Sequence, residues 1–439
     1  MNTPQSKSMI VAGIMSGTSA DGIDVALCRI SPAKELSSRS TQTLSSRPER
    51  SAVERPTAPS ASPQPFAPPK LKLLGHRAFP YDKKLRTKIL SIAAGDPTTA
   101  AELTQLSWHL GNLYADAVAS TALDLNLQPQ LIALHGQTIF HQGAHQGAHQ
   151  GVHQAAPATF LGKPLRCTSQ IGEPSLIAER LHLPVVSDFR PADLVAGGQG
   201  APLVPMLDYC LFRHTTKNRL LLNLGGIANI TALPAACTTA DVLAFDTGPA
   251  NMLIDALMQR LYNRRYDRNG AVAARGKVLT PVLDRLLADP YFSAAPPKSC
   301  GREEYGTAFA DRFLTLCKSA PNEDIIATAT AFTAATILNA YRRFCWPHLG
   351  QHAPLARATE LIAAGGGANN ITLMRMLTGH LKPLGIKVST TASTGLPVEA
   401  KEAAAFALLG WLTWHHLPGN IPSATGATHP VILGKVTYV

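Results

Sequence analysis

A turn that combines glycine with hydroxyl and carboxylate side chains follows the first apolar stretch of the chain. It reads Gly17-Thr18-Ser19-Ala20-Asp21-Gly22-Ile23-Asp24. Glycine lets backbone N–H groups approach a phosphate closely, and the Thr and Ser hydroxyls add further donors. Because carboxylates in the same turn would repel phosphate, Asp21 and Asp24 suggest a Mg²⁺ ion held through water, with Asp21 as the candidate ligand. The same residues also fit a tight hairpin with Asp-Gly turn chemistry, so this motif alone leaves both interpretations open.

Two later glycine clusters are suited to other parts of a nucleotide. Gly225 and Gly226 form a turn whose amides can meet a second phosphate. Gly366 and Gly367 let a flat group such as adenine lie against the backbone, although close helix–strand packing explains these glycines as well. The sequence contains neither a Walker A loop nor a G-x-G-x-x-G fingerprint. A P-loop or a Rossmann turn is therefore excluded as the nucleotide site.

Polar side chains that follow two apolar stretches are the candidates for substrate binding and proton transfer. His135 and Gln137 suit hydrogen bonds to sugar hydroxyls, although a satisfied core histidine fits nearly as well. Asp188 can act as a general base, with Arg190 orienting it or gripping an anion. The same stretch holds a second carboxylate, Asp193, and a structural pair of an aspartate with Arg190 is the alternative.

Three more carboxylates occupy positions that helices commonly use. Asp246 follows an apolar stretch and precedes Pro249, so it fits either a metal or water ligand or a helix N-cap. Glu399 and Glu402 lie at the start of the last long helix, where the helix dipole favours negative charge. We keep Glu399 as a candidate substrate contact.

Composition excludes several classes of protein. The chain has 439 residues, of which 45% are apolar and 16% charged, which is typical of a globular protein of two or three domains. The net charge is +11, but no basic stripe interleaved with aromatic residues is present, so we expect no nucleic-acid partner. No apolar run approaches the ~20 residues of a membrane span, and no signal peptide is evident, so we expect no membrane partner and a cytoplasmic location. Seven scattered cysteines without a C-x-x-C pair argue against a disulfide framework.

Two segments look inserted into the chain. Ser37–Pro69 is rich in Ser, Arg and Pro, and we expect it to be disordered because proline removes hydrogen-bond donors and fixes φ. His141–Gln154 is a His-Gln-Gly repeat that places histidine at every fourth residue. Its glycines disfavour a helix, so we expect an expanded loop, with adventitious nickel or zinc binding as the minor alternative.

The remaining sequence repeats one order of elements twice. Apolar stretches at 9–14 and 23–30 flank the first glycine turn, and stretches at 219–224 and 227–233 flank the second. A third strand, helices, a buried strand and more helices follow in each half. This pattern predicts an α/β fold in which a mixed sheet flanked by helices is duplicated. We expect lobe I at 1–205 and lobe II at 206–439, with the last helix packing back on lobe I and the glycine turns lining a central cleft.

The motifs together resemble those of the anhydro-N-acetylmuramic acid kinase family. The resemblance covers nearly the whole chain outside the two insertions. It rests on Gly13–Asp24, His135–Thr138, Ser187–Arg190, Gly197–Pro202, Asn223–Asn229, Asp246–Asn251, Gly365–Asn370 and Gly395–Glu402.

The resemblance implies a two-lobed fold like that of actin, hexokinase and the heat-shock ATPases, and it implies a homodimer. It implies that ATP and Mg²⁺ are used to convert 1,6-anhydro-N-acetylmuramic acid into N-acetylmuramic acid 6-phosphate, a step of peptidoglycan recycling and amino-sugar metabolism. The nucleotide motif of the family maps onto Gly17–Asp24, and its catalytic aspartate maps onto Asp188.

Elementary chemistry is consistent with that assignment. Water must add at the anomeric carbon to open the anhydro bridge, and the released O6 must take the γ-phosphoryl group. One carboxylate, assigned here to Asp188, can accept the proton of the water as it attacks. Two alternatives remain at this point: a kinase of an ordinary hexose hydroxyl, and an ATP-driven chaperone, for which no residues are left over to build a peptide-binding domain.

Overall fold

The computed structural model describes residues 8–17, 20–33, 67–143, 159–351, 356–391 and 395–439. Thr18 and Ser19 of the first glycine turn lie outside the described residues. So do all but the last residues of the Ser37–Pro69 insertion and all of the His-Gln-Gly repeat beyond Gly143. The loop expected from His141 is wrong for its first two residues, since His141 and Gln142 belong to the strand Leu131–Gln142. The disorder expected for the first insertion and the loop expected for the rest of the repeat stay predictions.

The strands form where β-branched and aliphatic residues dominate short segments. They are β1 (Met9–Ser16), β2 (Gly22–Ser31), β3 (Lys70–Pro80), β4 (Leu131–Gln142), β5 (Thr159–Phe160), β6 (Lys163–Pro164), β7 (Cys167–Ile171), β8 (Val185–Ser187), β9 (Lys217–Leu224), β10 (Ile227–Leu233), β11 (Leu243–Pro249), β12 (Ala358–Ala364), β13 (Ile386–Thr390) and β14 (Lys435–Thr437).

The helices fill the connections between these strands. They are α1 (Lys83–Ala93), α2 (Ala100–Leu125), α3 (Pro174–Leu181), α4 (Phe189–Val195), α5 (Pro205–Phe212), α6 (Asn251–Tyr262), α7 (Thr280–Leu287), α8 (Arg302–Tyr305), α9 (Thr307–Cys317), α10 (Asn322–Ala340), α11 (Trp346–Gly350), α12 (Ile371–Leu381), α13 (Lys401–Trp414) and α14 (Pro422–Thr425). Within the described part of the chain, none of them is long and apolar enough to cross a bilayer.

The two principal sheets share one strand order. The first runs β3-β2-β1-β4-β8, with β14 added beside β8 and β7 paired to β4, and the second runs β11-β10-β9-β12-β13. In each sheet the first three strands along the chain are antiparallel, and two further strands, β4 and β8 in the first sheet and β12 and β13 in the second, join in parallel. The additional strands β7 and β14 of the first sheet pair antiparallel. This arrangement confirms the duplicated α/β fold predicted from the sequence. The division of the chain at residue 205 stays a prediction.

Helices cover both faces of the first sheet. Ile14 of β1 packs in the cluster that contains Leu110 and Tyr114 of α2, whereas Val11 packs in the cluster that contains α13. The alternation follows from the two-residue period of a strand, which sends successive side chains to opposite faces. The second sheet alternates similarly, because Leu221 joins the α13 cluster, which thus contains buried side chains from both sheets.

Helix α13 lies directly on the backbone of the first sheet. A Cβ atom on Gly13 would stand 1.9 Å from the Ala403 carbonyl oxygen, so only glycine permits this approach. Further along, Gly410 lies against Ala133, and Phe406 lies against His135 with ring centroids 4.6 Å apart. The helix therefore runs antiparallel to β4. Its N-terminus points toward the carboxyl ends of the strands, where the candidate site residues lie.

Candidate active site

Asp188 occupies a backbone conformation that few side chains adopt. It follows β8 directly, with φ at +57°, and stands at the N-cap position of α4 without a side-chain capping bond. A residue other than glycine in the left-handed region costs roughly 1–2 kcal/mol, although aspartate tolerates it better than most. The Asp188 carboxylate is 38% exposed, and its Oδ2 lies 2.9 Å from Lys435 Nζ. Its ion-pair partner is thus a lysine of β14 rather than Arg190, which corrects the Asp–Arg pair considered from the sequence.

His135, within β4, and Arg190, in the first turn of α4, form a hydrogen-bonded pair. The Nε and Nη2 atoms of Arg190 lie 3.1 and 2.9 Å from His135 Nε2, and His135 Nδ1 lies 2.7 Å from the Gly136 carbonyl oxygen. These partners assign a neutral imidazole that donates from Nδ1 and accepts at Nε2. Burial, and next the Arg190 charge, hold the pKa of His135 well below its ordinary value. The pair therefore combines a fixed neutral histidine with a cation.

Arg190 is held on a second side by the loop that follows α4. Its Nη1 donates to the Gly200 carbonyl oxygen at 2.7 Å. Burial lowers the pKa of Arg190 to about 10, while the negative charges of Glu402 and Asp193 oppose that change. The guanidinium remains cationic at neutral pH and is suited to an anionic or polar substrate group.

Gln137 is buried beneath the first glycine turn. Its Nε2 donates to the Gly17 carbonyl oxygen at 3.1 Å, and its Oε1 accepts from Ser16 Oγ at 2.6 Å. Ser16 Oγ also lies 3.1 Å from the Gly22 carbonyl oxygen, so this pair reaches both ends of the turn. The sugar contact predicted for Gln137 stays a prediction. The side-chain amide of Gln137 bonds this turn and the Thr138 carbonyl oxygen.

The two carboxylates of the first turn differ in their partners. Asp21 is largely exposed and lies 3.2 Å from Arg86 Nε, whereas Asp24 lies 2.8 Å from His76 Nε2. Among the described residues, no three His, Cys, Asp or Glu side chains gather into a metal site. Mg²⁺ in kinases keeps several waters and binds through one or two carboxylates together with substrate phosphates. The carboxylates of this turn fit that mode, because an exposed Asp21–Arg86 pair is weak and can be exchanged.

The two glycine clusters of the second sheet lie against each other. Gly365 has φ at +89°, and a Cβ on it would stand 2.5 Å from the backbone of Leu224. The side-chain Nδ2 of Asn251 donates to the Leu224 carbonyl oxygen at 3.0 Å, and the backbone N–H of Asn251 donates to the Gly225 carbonyl oxygen. The sheet order explains this contact, since β9 and β12 are parallel neighbours whose carboxyl ends meet. The glycine pairs Gly225–Gly226 and Gly366–Gly367 therefore lie together at the carboxyl ends of neighbouring strands, as a phosphate turn and an adenine site require.

A groove of about 920 Å³ adjoins the second of these clusters. It runs between α12 and the end of β13, and its size suits a nucleoside. The lining residues are Ala368, Ile371, Met374, Arg375, Thr378, Gly379, Lys382, Pro383 and Thr390.

The start of α13 brings a carboxylate that sequence reasoning treated only as a helix charge. Glu402 lies at the surface, yet the protein atoms around it raise the pKa of its carboxyl by desolvation, while Arg190 opposes that change and Asp24 adds to it. Its electrostatic neighbours thus belong to both β2 and α4. Glu399, the predicted contact, is exposed in the preceding turn.

A buried ion pair at the start of α13 was not predicted from the sequence. Lys401 Nζ lies 2.7 Å from Asp208 Oδ1, and both side chains are buried. Thr231 Oγ1 of β10 donates to the second oxygen of Asp208 at 3.1 Å. An aspartate inside the apolar helix α5 was the one available hint, because a buried charge demands a partner.

The family model described as anhydro-N-acetylmuramic acid kinase matches residues 66–439. The chain belongs to this family. Two anhydro-N-acetylmuramic acid kinases, one of Bacillus cereus and one of Bacillus anthracis, are each 37% identical to it over 433 residues. Each alignment covers 98% of this chain and 99% of the relative. The resemblance to anhydro-N-acetylmuramic acid kinases drawn from the motifs is thereby confirmed.

Solved sugar kinases share only a distant likeness with this member of the anhydro-N-acetylmuramic acid kinase family. The ROK hexokinase of Thermus thermophilus is 11% identical, with a TM-score of 0.33 and coverage of 91% of this chain and 98% of that chain. A ROK family glucokinase of Streptomyces griseus, in complex with glucose and AMPPNP, is 10% identical, with a TM-score of 0.31 and coverage of 92% and 98%. TM-scores at this level establish no fold, which here follows from the strand order itself.

Proposed function

We propose that this protein uses ATP to convert 1,6-anhydro-N-acetylmuramic acid into N-acetylmuramic acid 6-phosphate, a reaction of peptidoglycan recycling. Family membership supports the substrate and the reaction. The observation that carries the proposal is the position of Asp188, a partly exposed carboxylate that directly follows β8 and stands two residues before Arg190, which donates to His135. These three residues offer a carboxylate, a neutral imidazole and a guanidinium, which can hydrogen-bond the hydroxyl and carboxylate groups of a sugar acid.

We assign to Asp188 the role of general base, which accepts the proton of the attacking water. As the carboxylate takes that proton, the water oxygen bonds to C1 and the C1–O6 bond of the anhydro bridge breaks. The electron pair of that bond stays on O6, which bonds to the γ-phosphorus while the bond to the β-phosphate oxygen breaks and ADP leaves. The proton is finally released from Asp188 to solvent. Orientation of the three reactants supplies the remaining acceleration.

The glycine turns are assigned to the nucleotide. The residues Gly17–Asp24 and Gly225–Gly226 offer backbone amides to the phosphates, and Gly366–Gly367 accept the adenine, with the groove beside Ala368 for the nucleoside. Bound Mg²⁺ would neutralise charge on the β- and γ-phosphates, and Asp21 is proposed to hold it through water.

Substrate assays test this proposal directly. Purified full-length protein is incubated with ATP and either 1,6-anhydro-N-acetylmuramic acid, N-acetylmuramic acid or glucose, in isotope-labelled water. We expect phosphorylation of the anhydro sugar only, with the label at the anomeric hydroxyl of the product. Turnover with glucose or N-acetylmuramic acid at a comparable rate would identify an ordinary hydroxyl kinase instead. ATP hydrolysis that needs no sugar and rises with unfolded peptide would support the chaperone alternative.

Location and assembly complete the proposal. We assign the reaction to the cytoplasm, which is consistent with seven cysteines that are all free thiols. We assign a homodimer as the functional unit, as the resemblance implied. Light scattering coupled to size-exclusion chromatography measures the mass directly, and a monomeric mass at assay concentration contradicts the dimer.

A further inference from the structure

Asp193 is a fully buried carboxylate on α4 that the reaction does not use. Its Oδ2 accepts from the Gly200 amide at 2.7 Å. Its Oδ1 accepts from Asn420 Nδ2 and from Thr425 Oγ1, each at 2.7 Å. Three short bonds to one buried ion are charge-assisted, and they compensate the desolvation of the carboxylate.

Gly200, whose N–H group Asp193 holds, is also the residue that holds Arg190. The Gly200 amide donates to Asp193, whereas the Gly200 carbonyl accepts from Arg190 Nη1 at 2.7 Å. Arg190 in turn donates to His135 Nε2. A continuous chain of hydrogen bonds therefore leads from the buried carboxylate to the histidine of the candidate site.

The other side of Asp193 is built by a segment more than two hundred residues away. Asn420 Oδ1 accepts from the Val431 amide at 2.8 Å, which turns its Nδ2 toward Asp193. Backbone bonds join the same segment to the loop after α4, from the Gln199 amide to Thr425 and from the Thr428 amide to Ala196. The C-terminal segment thus supports the loop through the buried Asp193 carboxylate together with these two backbone hydrogen bonds.

We propose that Asp193 is a positioning residue, which fixes the Gly200 peptide against the C-terminal segment and thereby aims Arg190 and His135 at the substrate. This inference rests on the proposed function for its kinetic consequence. The charge of Asp193 also acts on Arg190, as the electrostatics of that guanidinium show. Asparagine at this position keeps the shape but turns an N–H donor toward other donors.

The first test compares Asp193→Asn with Asp267→Asn. Asp267 is the matched control, because it is a buried carboxylate that accepts from the Val272 and Ala273 amides near the second sheet. Asp193→Asn is expected to lower kcat/KM for the anhydro sugar by at least about tenfold, which is the effect of losing one charge-assisted hydrogen bond. The KM for ATP is expected to stay within about twofold of the wild type. An equal loss of sugar efficiency in Asp267→Asn, at equal Tm, would show a merely structural role and overturn the proposal.

A second variant separates positioning from failure to fold. Asp193→Asn combined with Asn420→Asp exchanges the two side chains, so that the amide of residue 193 donates to a carboxylate at residue 420 and its oxygen still accepts from Gly200. Recovery of most of the lost kcat/KM is the expected result. Recovery of Tm without recovery of kcat/KM overturns the assignment of positioning to this bond.

A readout without substrate keeps this proposal distinct from the proposed function. Nitrogen-15 histidine spectra, assigned with a His135→Gln variant, report the protonation of His135, which faces Arg190 and His141. In the wild type the imidazole is expected to stay neutral at pH values where an ordinary histidine is protonated, because burial and Arg190 lower its pKa, whereas in Asp193→Asn it is expected to titrate nearer its ordinary value. Identical titration in both proteins overturns the positioning role, whether or not the anhydro sugar is the substrate.

Discussion

Lys435 and Asp188 form an ion pair although they are 247 positions apart in the chain, with 2.9 Å between Nζ and Oδ2. The short strand β14 makes this possible, because it pairs antiparallel with β8 and sets Lys435 opposite Ser187. The last strand of the protein thereby brings an ammonium to the carboxylate assigned as the base.

Replacing Lys435 is expected to reduce turnover moderately. Lys435→Met removes the contact that orients the Asp188 carboxylate, and an exposed pair of this kind is worth about 0.2–1 kcal/mol. We therefore expect kcat to fall by roughly two- to fivefold with KM for ATP unchanged. Lys435→Arg is the matched variant and should retain most of the activity. Unchanged kcat in Lys435→Met would show that the pair has no part in catalysis.

Asp188→Asn tests the base directly. The amide keeps the volume of the side chain but cannot take the proton of water, so we expect kcat to fall by at least about 100-fold. Calorimetric titration with a non-hydrolysable ATP analogue should give an affinity within about twofold of the wild type, because the nucleotide is assigned to the glycine turns and not to Asp188. Activity within a few-fold of the wild type would move the base role to another carboxylate.

The buried histidine predicts how stability changes with pH. Because burial and Arg190 lower the pKa of folded His135, the unfolded chain binds a proton near pH 6.5 that the folded protein does not bind. Stability is then full above pH 6.5 and falls as the pH drops below it, by up to about 1.4 kcal/mol per pH unit for this one group.

Urea unfolding between pH 5 and 7.5 measures that slope. His135→Gln should flatten it, whereas His141 and His415, whose pKa values burial also lowers, should keep contributing in the variant. An identical slope in wild type and variant contradicts the assignment of a neutral His135.

The contact between the two glycine clusters can be tested with a methyl group. Gly365→Ala adds a Cβ at 2.5 Å from the Leu224 backbone in addition to the strain of a positive φ, so we expect a loss of about 2–4 kcal/mol and weaker ATP binding. Gly385→Ala is the matched control, since its φ is +76° but nothing lies within 4 Å. It should cost only about 1 kcal/mol and leave ATP affinity unchanged. Equal effects in both variants would exclude close packing as the reason for Gly365.

Long amphipathic or apolar segments were predictable from sequence because their periodicity is local. The stretch predicted at 227–233 has the bounds of β10, and the stretches at 9–14, 23–30 and 219–224 lie within β1, β2 and β9. The ends of elements were not predictable in the same way. Helix α13 begins only at Lys401, so Glu399 lies before the helix rather than at its start, because a turn closed by the Ala400 amide and the Pro397 carbonyl precedes it.

The sequence by itself determined the duplicated order of strands and helices, the glycine turns and the family, because glycine placement and hydrophobic period are properties of neighbouring residues. The tertiary structure decided which charges meet. Lys435 reaches Asp188, and Asn420 reaches Asp193, through strands and loops whose pairing depends on the whole sheet. A buried charge pairs with whichever polar group the fold brings close to it, and the pattern of neighbouring residues in the sequence does not contain that information.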